Sequence, residues 1–221
     1  MITLAIDAST YEGDACVIVD GRVVAESAVA MKGLHDERLM PAVADVLDEA
    51  GLTTDAIDRI VCGAGPGSFT SLRIAGAIAK GIATGAHRPL FSVPSMALIV
   101  GGPDVPEGRY LAAIDALRGE CYVSLYDRDA SGRTDELEPA RIVHAEEVAH
   151  IAESYGAHVI SPTRSPNSIV ARPRASAVVH LERMLAARGP VDVASWEPSY
   201  LRLAEAQVRW ESTHGKPLPA G

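Results

Sequence analysis

One stretch of the sequence, residues 59–85, constrains the fold more than any other. It opens with a short apolar run at 59–63, of the kind that central strands have. Gly65-Pro66-Gly67 then breaks the pattern with two glycines that let the backbone approach a neighbour closely. The residues that follow, about 70–84, predict a helix that is apolar nearly all round. Such a helix is buried on more than one side, so we expect a sheet on one side and a second helix or a second protein on the other.

The predicted helix at 70–84 also carries a candidate contact surface. Its two charged residues are seven apart and therefore share one face, with small residues between them. A second helix, predicted at 36–50, has apolar residues at helical spacing. The helix at 70–84 holds more small and apolar side chains than one sheet face needs, which predicts a protein–protein surface formed by both helices and, in the isolated chain, a homodimer. The candidate interface residues are Leu39, Val43, Leu72, Arg73, Gly76, Ala77 and Lys80.

Composition excludes several classes of protein. The chain of 221 residues has a net charge of −9 and no concentrated basic run, so it is not expected to be a principal nucleic-acid binder by itself. No window approaches the roughly 20 apolar residues of a membrane span, and the N-terminal apolar run is too short for a signal peptide. Three cysteines without CxxC spacing predict buried, reduced thiols in a cytoplasmic protein.

The chain repeats one plan twice. The first half begins with a strand that ends at Asp7 and continues with two strands joined by an Asp20-Gly21 turn. After a Gly/Pro-rich boundary the same order returns, with a strand that ends at Asp115. Two such βββαβα units predict an α/β protein with the two-lobed actin/Hsp70/sugar-kinase-like (ASKHA) fold, in lobes 1–102 and 109–221. Later segments are predicted as helices at 145–154 and 175–188, a Pro/Ser-rich loop at 161–173 and a final helix after residue 202.

The cleft between the lobes is the second candidate site. In this fold Asp7 and Asp115 stand where kinases and ATPases place carboxylates for a metal-bound phosphate. Ser9, Gly65 and Gly67 are the other candidates for contacting ATP or ADP, because a glycine-rich turn before a helix can hold an anion on its N–H groups. The alternative for the glycines is close strand–helix packing. Residues 116–118 are Ala-Leu-Arg where a phosphate loop prefers glycine, so the cleft is predicted to be degenerate.

Four segments carry a family resemblance: IDAST, GPGSFTSLRIAGAIAKG, IDALRGECYVSLY and EPSYLR, in this order along the chain. Together they resemble the TsaB (YeaZ) family of bacterial partner proteins in tRNA threonylcarbamoyladenosine synthesis. The resemblance implies a non-catalytic subunit that pairs with its paralogue TsaD through helices of the first lobe and is joined by the ATPase TsaE. TsaD would transfer threonylcarbamoyl to N6 of adenosine 37 of ANN-reading tRNAs, and tRNA would meet this chain only through the complex. No cofactor is then required by this chain, and ATP or ADP would bind at the degenerate cleft or at the complex interface.

The sequence departs from related patterns at a few positions. TsaD-like proteins hold a metal with an HxxxH pair, but here His35 is followed four residues later by Leu39, so no metal site is predicted. Ser71 stands where the TsaB family usually has glycine, and Ala8 where it usually has threonine. Neither change removes a catalytic group. An enzyme, a small-molecule kinase or ATPase of the same fold, is the alternative function, and ATP turnover by the purified chain would reveal it.

Overall fold

Two five-stranded sheets organise the computed structural model, which describes residues 1–31, 37–201 and 213. The first sheet is built from β1 (Ile2–Asp7), β2 (Glu12–Val19), β3 (Arg22–Ala30), β4 (Arg59–Gly63) and β5 (Leu90–Val93). Its spatial order is β3-β2-β1-β4-β5. The first three strands are antiparallel, and β4 and β5 then run parallel to β1. Asp20 and Gly21 both have positive φ in the β2–β3 turn, which confirms the predicted hairpin.

The second sheet repeats this arrangement with five further strands. They are β6 (Gly108–Leu117), β7 (Glu120–Arg128), β8 (Thr134–His144), β9 (His158–Ser161) and β10 (Ser168–Val170). The spatial order is β8-β7-β6-β9-β10, again with two parallel strands added to an antiparallel meander. The α/β class and the two repeated units of the ASKHA fold, predicted from the sequence, are therefore confirmed.

The helices cover the outer faces of the sheets and fill the space between them. They are α1 (Leu39–Glu49), α2 (Phe69–Gly85), α3 (Ser95–Val100), α4 (Val148–Ser154) and α5 (Glu182–Arg188), with 3-10 helices at Thr54–Ala56, Ala145–Glu147 and Ala175–His180. Every residue of α3 is buried, in a core shared with the 3-10 helix at 175–180 and with strands of both sheets. A second core lies beneath α1 and α2. Because α3 belongs to the first half but packs against the second, the lobe limits 1–102 and 109–221 stay a prediction.

Two predicted elements differ from the structure, and two others cannot be compared with it. The helix predicted at 175–188 is interrupted at Leu181, which separates a 3-10 helix from α5. The loop predicted at 161–173 contains the short strand β10, which is stabilised by pairing with β9 rather than by its own sequence. The predicted start of α1 at His35 and Asp36 and the predicted final helix after residue 202 lie outside the described residues. Of the helices described, none combines the length and the apolar character that crossing a membrane requires.

Candidate functional site

Asp7, at the carboxyl end of β1, is buried with only 1% of its surface exposed. Its Oδ2 accepts hydrogen bonds from the backbone N–H and the hydroxyl of Ser9, at 2.9 and 2.8 Å, and its Oδ1 accepts the hydroxyl of Ser95 at 2.5 Å. Burial raises the pKa of this carboxyl, and the three hydrogen bonds oppose the rise. A Cβ at Gly63 would lie 1.9 Å from Asp7 Oδ1, so only glycine leaves room for the carboxylate there. Asp7 thus ties β1 to α3 with both oxygens already engaged.

The glycine loop after β4 packs closely against the turn that follows β1. A Cβ at Gly67 would lie 2.0 Å from the backbone oxygen of Ser9, and the N–H of Ser68 donates to that same oxygen at 2.7 Å. Gly65 has a φ of +86°, and a Cβ there would lie 2.8 Å from the carbonyl oxygen of Ser199. Both glycines are therefore required by close backbone approach, which is the alternative that the sequence left open. Their role in holding an anion stays a prediction.

An open cavity of about 1300 Å³ lies between the two lobes. It is walled by the turn after β1, the first turn of α2, the β6–β7 hairpin and the loop before β10. Ser9, Gly67 and Asp115 are among the predicted residues that line it, whereas Asp7 and Gly65 are not. Four large apolar side chains on its walls are well exposed, namely Tyr11, Phe69, Leu117 and Leu201. The cleft is thus large, with much apolar surface at its mouth.

The β6–β7 hairpin has Leu117 and Arg118 at positions where a phosphate-binding loop would have glycine. Asp115 is exposed, and its Oδ1 accepts the N–H of Leu117 at 2.7 Å. Leu117 and Arg118 have φ values of +65° and +59°, a conformation that glycine adopts at least cost. One carboxylate is therefore buried with both oxygens hydrogen-bonded, and the other closes its own turn, so these residues do not fit a metal-bound phosphate. Asp7, predicted as a nucleotide contact at the cleft, does not line the cavity, because it is held inside the contact between β1 and α3.

Part of the predicted interface is buried inside the chain's own core. Leu39, Val43 and Leu72 are each 0% exposed, in the packing of α1 and α2 on the first sheet and the loop beside it. Their assignment to a partner surface is therefore wrong for this structure, because the helical pattern that identified them marks the inward face. Arg73 and Ala77 are exposed on α2, and the Arg73 guanidinium lies 5.5 Å from the centre of the Phe69 ring.

The remaining two interface candidates lie under another segment of the same chain. Residues 192–200, which we name the strap, cross α2 after α5 has ended. Lys80 Nζ donates to the carbonyl oxygens of Ala194 and Trp196, at 3.4 and 3.0 Å. A Cβ at Gly76 would lie 3.4 to 3.7 Å from atoms of Trp196 and Pro198. Gly76 and Lys80 are thus contacted by the strap in the isolated chain.

Comparison with known proteins identifies the family. The family model described as TsaD, tRNA N6-adenosine threonylcarbamoyltransferase, matches residues 28–159, which is more than half of the chain. A Pseudomonas aeruginosa structure described as similar to peptidase YeaZ has 30% sequence identity and a TM-score of 0.77, and the match covers 91% of this chain and 99% of that one. The chain belongs to the TsaB (YeaZ) family. The resemblance carried by the four sequence segments is therefore confirmed.

Two curated TsaB proteins are similar to this chain. The Bacillus subtilis protein is 28% identical over 95% of this chain and 98% of its own length. The Escherichia coli protein is 36% identical, but the match spans 65% of each chain, a little under two thirds of that relative. Both are named tRNA threonylcarbamoyladenosine biosynthesis protein TsaB.

Sequence reasoning missed one titratable residue in this TsaB-family chain. Asp14 on β2 is buried, with 3% of its surface exposed, and its Oδ1 accepts the N–H of Ala175 at 2.7 Å. Burial raises the pKa of Asp14 to about 7, against the attraction of Arg174, whose Nη1 lies 3.6 Å from Oδ2. The sequence signal for a buried carboxylate was the position of Asp14 between Gly13 and Ala15 at the start of the apolar strand β2. What buries it is the 3-10 helix at 175–180, which lies more than 150 residues later in the chain.

Proposed function

We propose that this chain is a non-catalytic partner subunit in tRNA threonylcarbamoyladenosine synthesis, acting on a TsaD-type paralogue. Family membership supports the pathway, since the curated relatives are named for it. The match to the transferase model over residues 28–159 supports a paralogous partner, because paralogues that share a fold commonly share an interface. We include in the proposal a TsaE-type ATPase that joins the pair, a homodimer in the absence of the paralogue, contact with tRNA only through the complex, and a cytoplasmic location.

One observation carries the non-catalytic part of the proposal, the position of the Asp7 carboxylate. An ASKHA enzyme needs a carboxylate at this strand end that is free to hold a metal or a water near the phosphate. Here Ser9 and Ser95 donate hydrogen bonds to both oxygens, and the carboxylate fills the space beside Gly63. Asp115, the other strand-end carboxylate, has Leu117 and Arg118 beside it instead of glycine. Adenine nucleotide, if it binds, then serves assembly at the cleft or the complex interface and not turnover by this chain.

The partner surface in this proposal is the exposed side of α2 around Arg73 and Ala77. Alanine at the centre of this side lets a second helix approach to the 8–10 Å that close packing needs. Met40 on α1 is 43% exposed and adds an adaptable apolar side chain on the neighbouring helix. Leu39, Val43 and Leu72 support this surface from below by fixing α1 and α2 on the core.

The deciding experiment is reconstitution of the modification. TsaD, TsaE, the enzyme that forms threonylcarbamoyl-adenylate and unmodified tRNA would be incubated with and without this chain, and threonylcarbamoyladenosine would be measured by mass spectrometry. We expect product to depend on the chain. We also expect Asp115→Asn to support product formation as well as the wild type does, because this carboxylate takes no part in the transfer. Equal product without the chain would contradict the proposal.

An enzyme of the same fold is the second candidate, and the cavity of about 1300 Å³ is the observation in its favour. A cleft of that size can hold a nucleotide or a sugar. ATP turnover by the purified chain without partners separates the two functions. If the chain is a partner subunit, the wild type should turn over ATP no faster than Asp115→Asn does. If it is an enzyme, Asp115→Asn should be less active than the wild type.

Replacing Ala77 with arginine is expected to weaken binding to the TsaD-type paralogue by at least about tenfold. A tenfold loss corresponds to about 1.4 kcal/mol of binding free energy. The long charged side chain would hold the partner helix away from α2 and would be desolvated without a partner charge. Ala77 is exposed, so the melting temperature should stay at the wild-type value. Ala187→Arg is the matched control, because Ala187 is exposed on α5 in the other half of the chain. Titration calorimetry measures the affinity of each variant for the paralogue, and thermal unfolding measures the melting temperature. Equal affinity of the two variants would place the interface elsewhere.

A further inference from the structure

The strap, residues 192–200, spans from α2 to the cleft without helix or strand structure of its own. At its beginning, Asp192 closes a turn by accepting the hydroxyl of Ser195 at 2.6 Å. In the middle, Trp196 and Pro198 lie over Gly76. Near its end, the N–H of Ser199 donates to the carbonyl of Ala64 at 2.7 Å, just before the glycine loop. The strap thus follows α2 from its second half back to its first turn.

Tyr200 anchors the end of the strap in the cleft. Its ring lies 4.6 Å from the ring of Phe69, measured between centres, and it lines the cavity. Its carbonyl oxygen accepts the hydroxyl of Tyr122 from the second sheet at 3.3 Å. The strap therefore contacts the first sheet's helix through Trp196 and the second sheet through Tyr200. A change at Tyr200 can reach Trp196 through only the three residues between them.

The strap is held by contacts that are partly exposed. Along it, Val193, Trp196, Pro198 and Tyr200 are half-buried, and the residues between them are exposed. The two Lys80 hydrogen bonds are made to carbonyl oxygens at the rim, where water can replace the protein donor. Val193 and Trp196 pack against the core beneath α1 and α2, but no residue of the strap is fully buried, so we expect the strap to open at a smaller cost in free energy than global unfolding.

The strap also occupies space that a partner helix on α2 needs. Ala77 and Gly76 are adjacent along the helix and project about 100° apart around its axis. A helix of about 10 Å diameter that packs at 8–10 Å between axes along the line from Arg73 to Lys80, between Ala77 and Gly76, needs the space that the indole of Trp196 and the ring of Pro198 occupy over Gly76. The partner and the strap cannot both be close to α2 at this point.

We propose that the strap is a displaceable cover of α2 that is anchored in the cleft by Tyr200, so that release of Tyr200 and docking of a helix on α2 favour one another. The partner part of this inference rests on the proposed function. In the free chain the strap lies over Gly76 and Lys80. Docking of the paralogue removes it, and with it the ring of Tyr200 leaves its place against Phe69. In the absence of the partner the strap covers Gly76, while Ala77 stays exposed.

The first test needs no partner and follows the fluorescence of Trp196. The other tryptophan, Trp210, would be replaced by phenylalanine so that Trp196 alone reports. We expect Tyr200→Ala to shift the emission of Trp196 to longer wavelength and to increase its quenching by acrylamide, because loss of the anchor frees the strap. Leu117→Ala is the control, since it removes an exposed apolar side chain from the same cleft. Unchanged Trp196 emission in Tyr200→Ala would overturn the proposal.

The second test measures affinity for the TsaD-type paralogue. If the strap covers α2 nine-tenths of the time, its release should tighten binding about tenfold, because apparent affinity scales with the fraction of competent chain. We expect this gain in Tyr200→Ala and not in Leu117→Ala, together with a red shift of Trp196 emission when the paralogue is added to the parent protein. Binding that is unchanged or weaker in Tyr200→Ala overturns the proposal. Failure of every variant to bind would contradict the proposed function instead, and the fluorescence of Tyr200→Ala would still decide whether the strap is one displaceable unit.

Discussion

Replacing Gly67 with alanine is expected to lower the free energy of unfolding by about 4 kcal/mol. The added Cβ would lie 2.0 Å from the oxygen and 2.7 Å from the carbon of the Ser9 carbonyl, and these are backbone atoms that no side-chain rotation can move. The turn after β1 must shift, which typically costs about 1–3 kcal/mol as overpacking. The shift also weakens the two hydrogen bonds from Ser9 to the buried Asp7 carboxylate, at a further cost of about 1–3 kcal/mol.

Chemical denaturation of Gly67→Ala and the wild type measures this loss. The melting temperature should fall by about 10 °C, because 1 kcal/mol corresponds to about 2–4 °C for a chain of this size. Gly81→Ala is the matched control, because Gly81 is exposed in α2 and a Cβ there would meet nothing within 4 Å. Alanine favours the helix over glycine by about 0.5–1 kcal/mol, so this variant should be slightly more stable than the wild type. A Gly67→Ala protein as stable as the wild type would show that the loop does not pack on Ser9 as described.

The elements that could be predicted from the sequence are those specified by local pattern. The strand at 59–63, the glycine loop and the helix predicted at 70–84 reappear as β4, the loop and α2 within one residue at each end. The repeat of two strand-Asp units correctly predicted two sheets of the same order. Elements stabilised by distant contacts were missed. The strand β10 exists through pairing with β9, and the break at Leu181 follows from the packing of the 3-10 helix between the sheets.

The candidate site was predicted less well, because sequence position does not say which way a side chain faces. The spacing of Leu39, Val43 and Leu72 identified apolar helix faces correctly, but it could not distinguish an inward face from a partner face. Asp7 was placed at the correct strand end, and yet the carboxylate turns toward Ser95, which lies 88 residues later. The strap alternates half-buried and exposed residues at 196–200, but it forms no strand and no helix, so this pattern did not say what the half-buried side chains contact. The segment EPSYLR was identified from the sequence, but its contacts with Gly76 and Lys80 were not.

Asp14 should make the stability of this chain depend on pH in the range from about 4 to 7. Its pKa is raised from 3.8 to about 7 by burial, so the folded chain binds a proton that the unfolded chain releases. This contribution to stability is fully present below pH 3.8 and is lost as the pH rises through about 7. A rise of this size in the pKa of one carboxyl corresponds to about 4 kcal/mol of stability, since each tenfold change in proton affinity is worth about 1.4 kcal/mol. Asp7 and Glu26 act in the same direction as burial, and the N–H of Ala175 and the guanidinium of Arg174 oppose it.

Replacing Asp14 with asparagine should therefore stabilise the chain at pH 8 relative to the wild type by up to about 4 kcal/mol, with little difference near pH 4. The amide oxygen can still accept the N–H of Ala175, while the variant gives up the attraction between Oδ2 and Arg174, which reduces the gain. In the wild type, Oδ2 has no hydrogen-bond partner among the described residues, so the charge that the variant removes is poorly compensated. Denaturation of both proteins from pH 4 to pH 8 measures the difference.

Asp127→Asn is the control, because Asp127 is paired with Arg109 at the surface and the pKa of this carboxyl is lowered by that hydrogen bond. Its difference from the wild type should be small and of opposite sign, since the lowered pKa gives stability above pH 4 that the variant lacks. A constant difference between Asp14→Asn and the wild type across this range would mean that Asp14 is charged in the folded chain and that the contact with the 3-10 helix at 175–180 is looser than described.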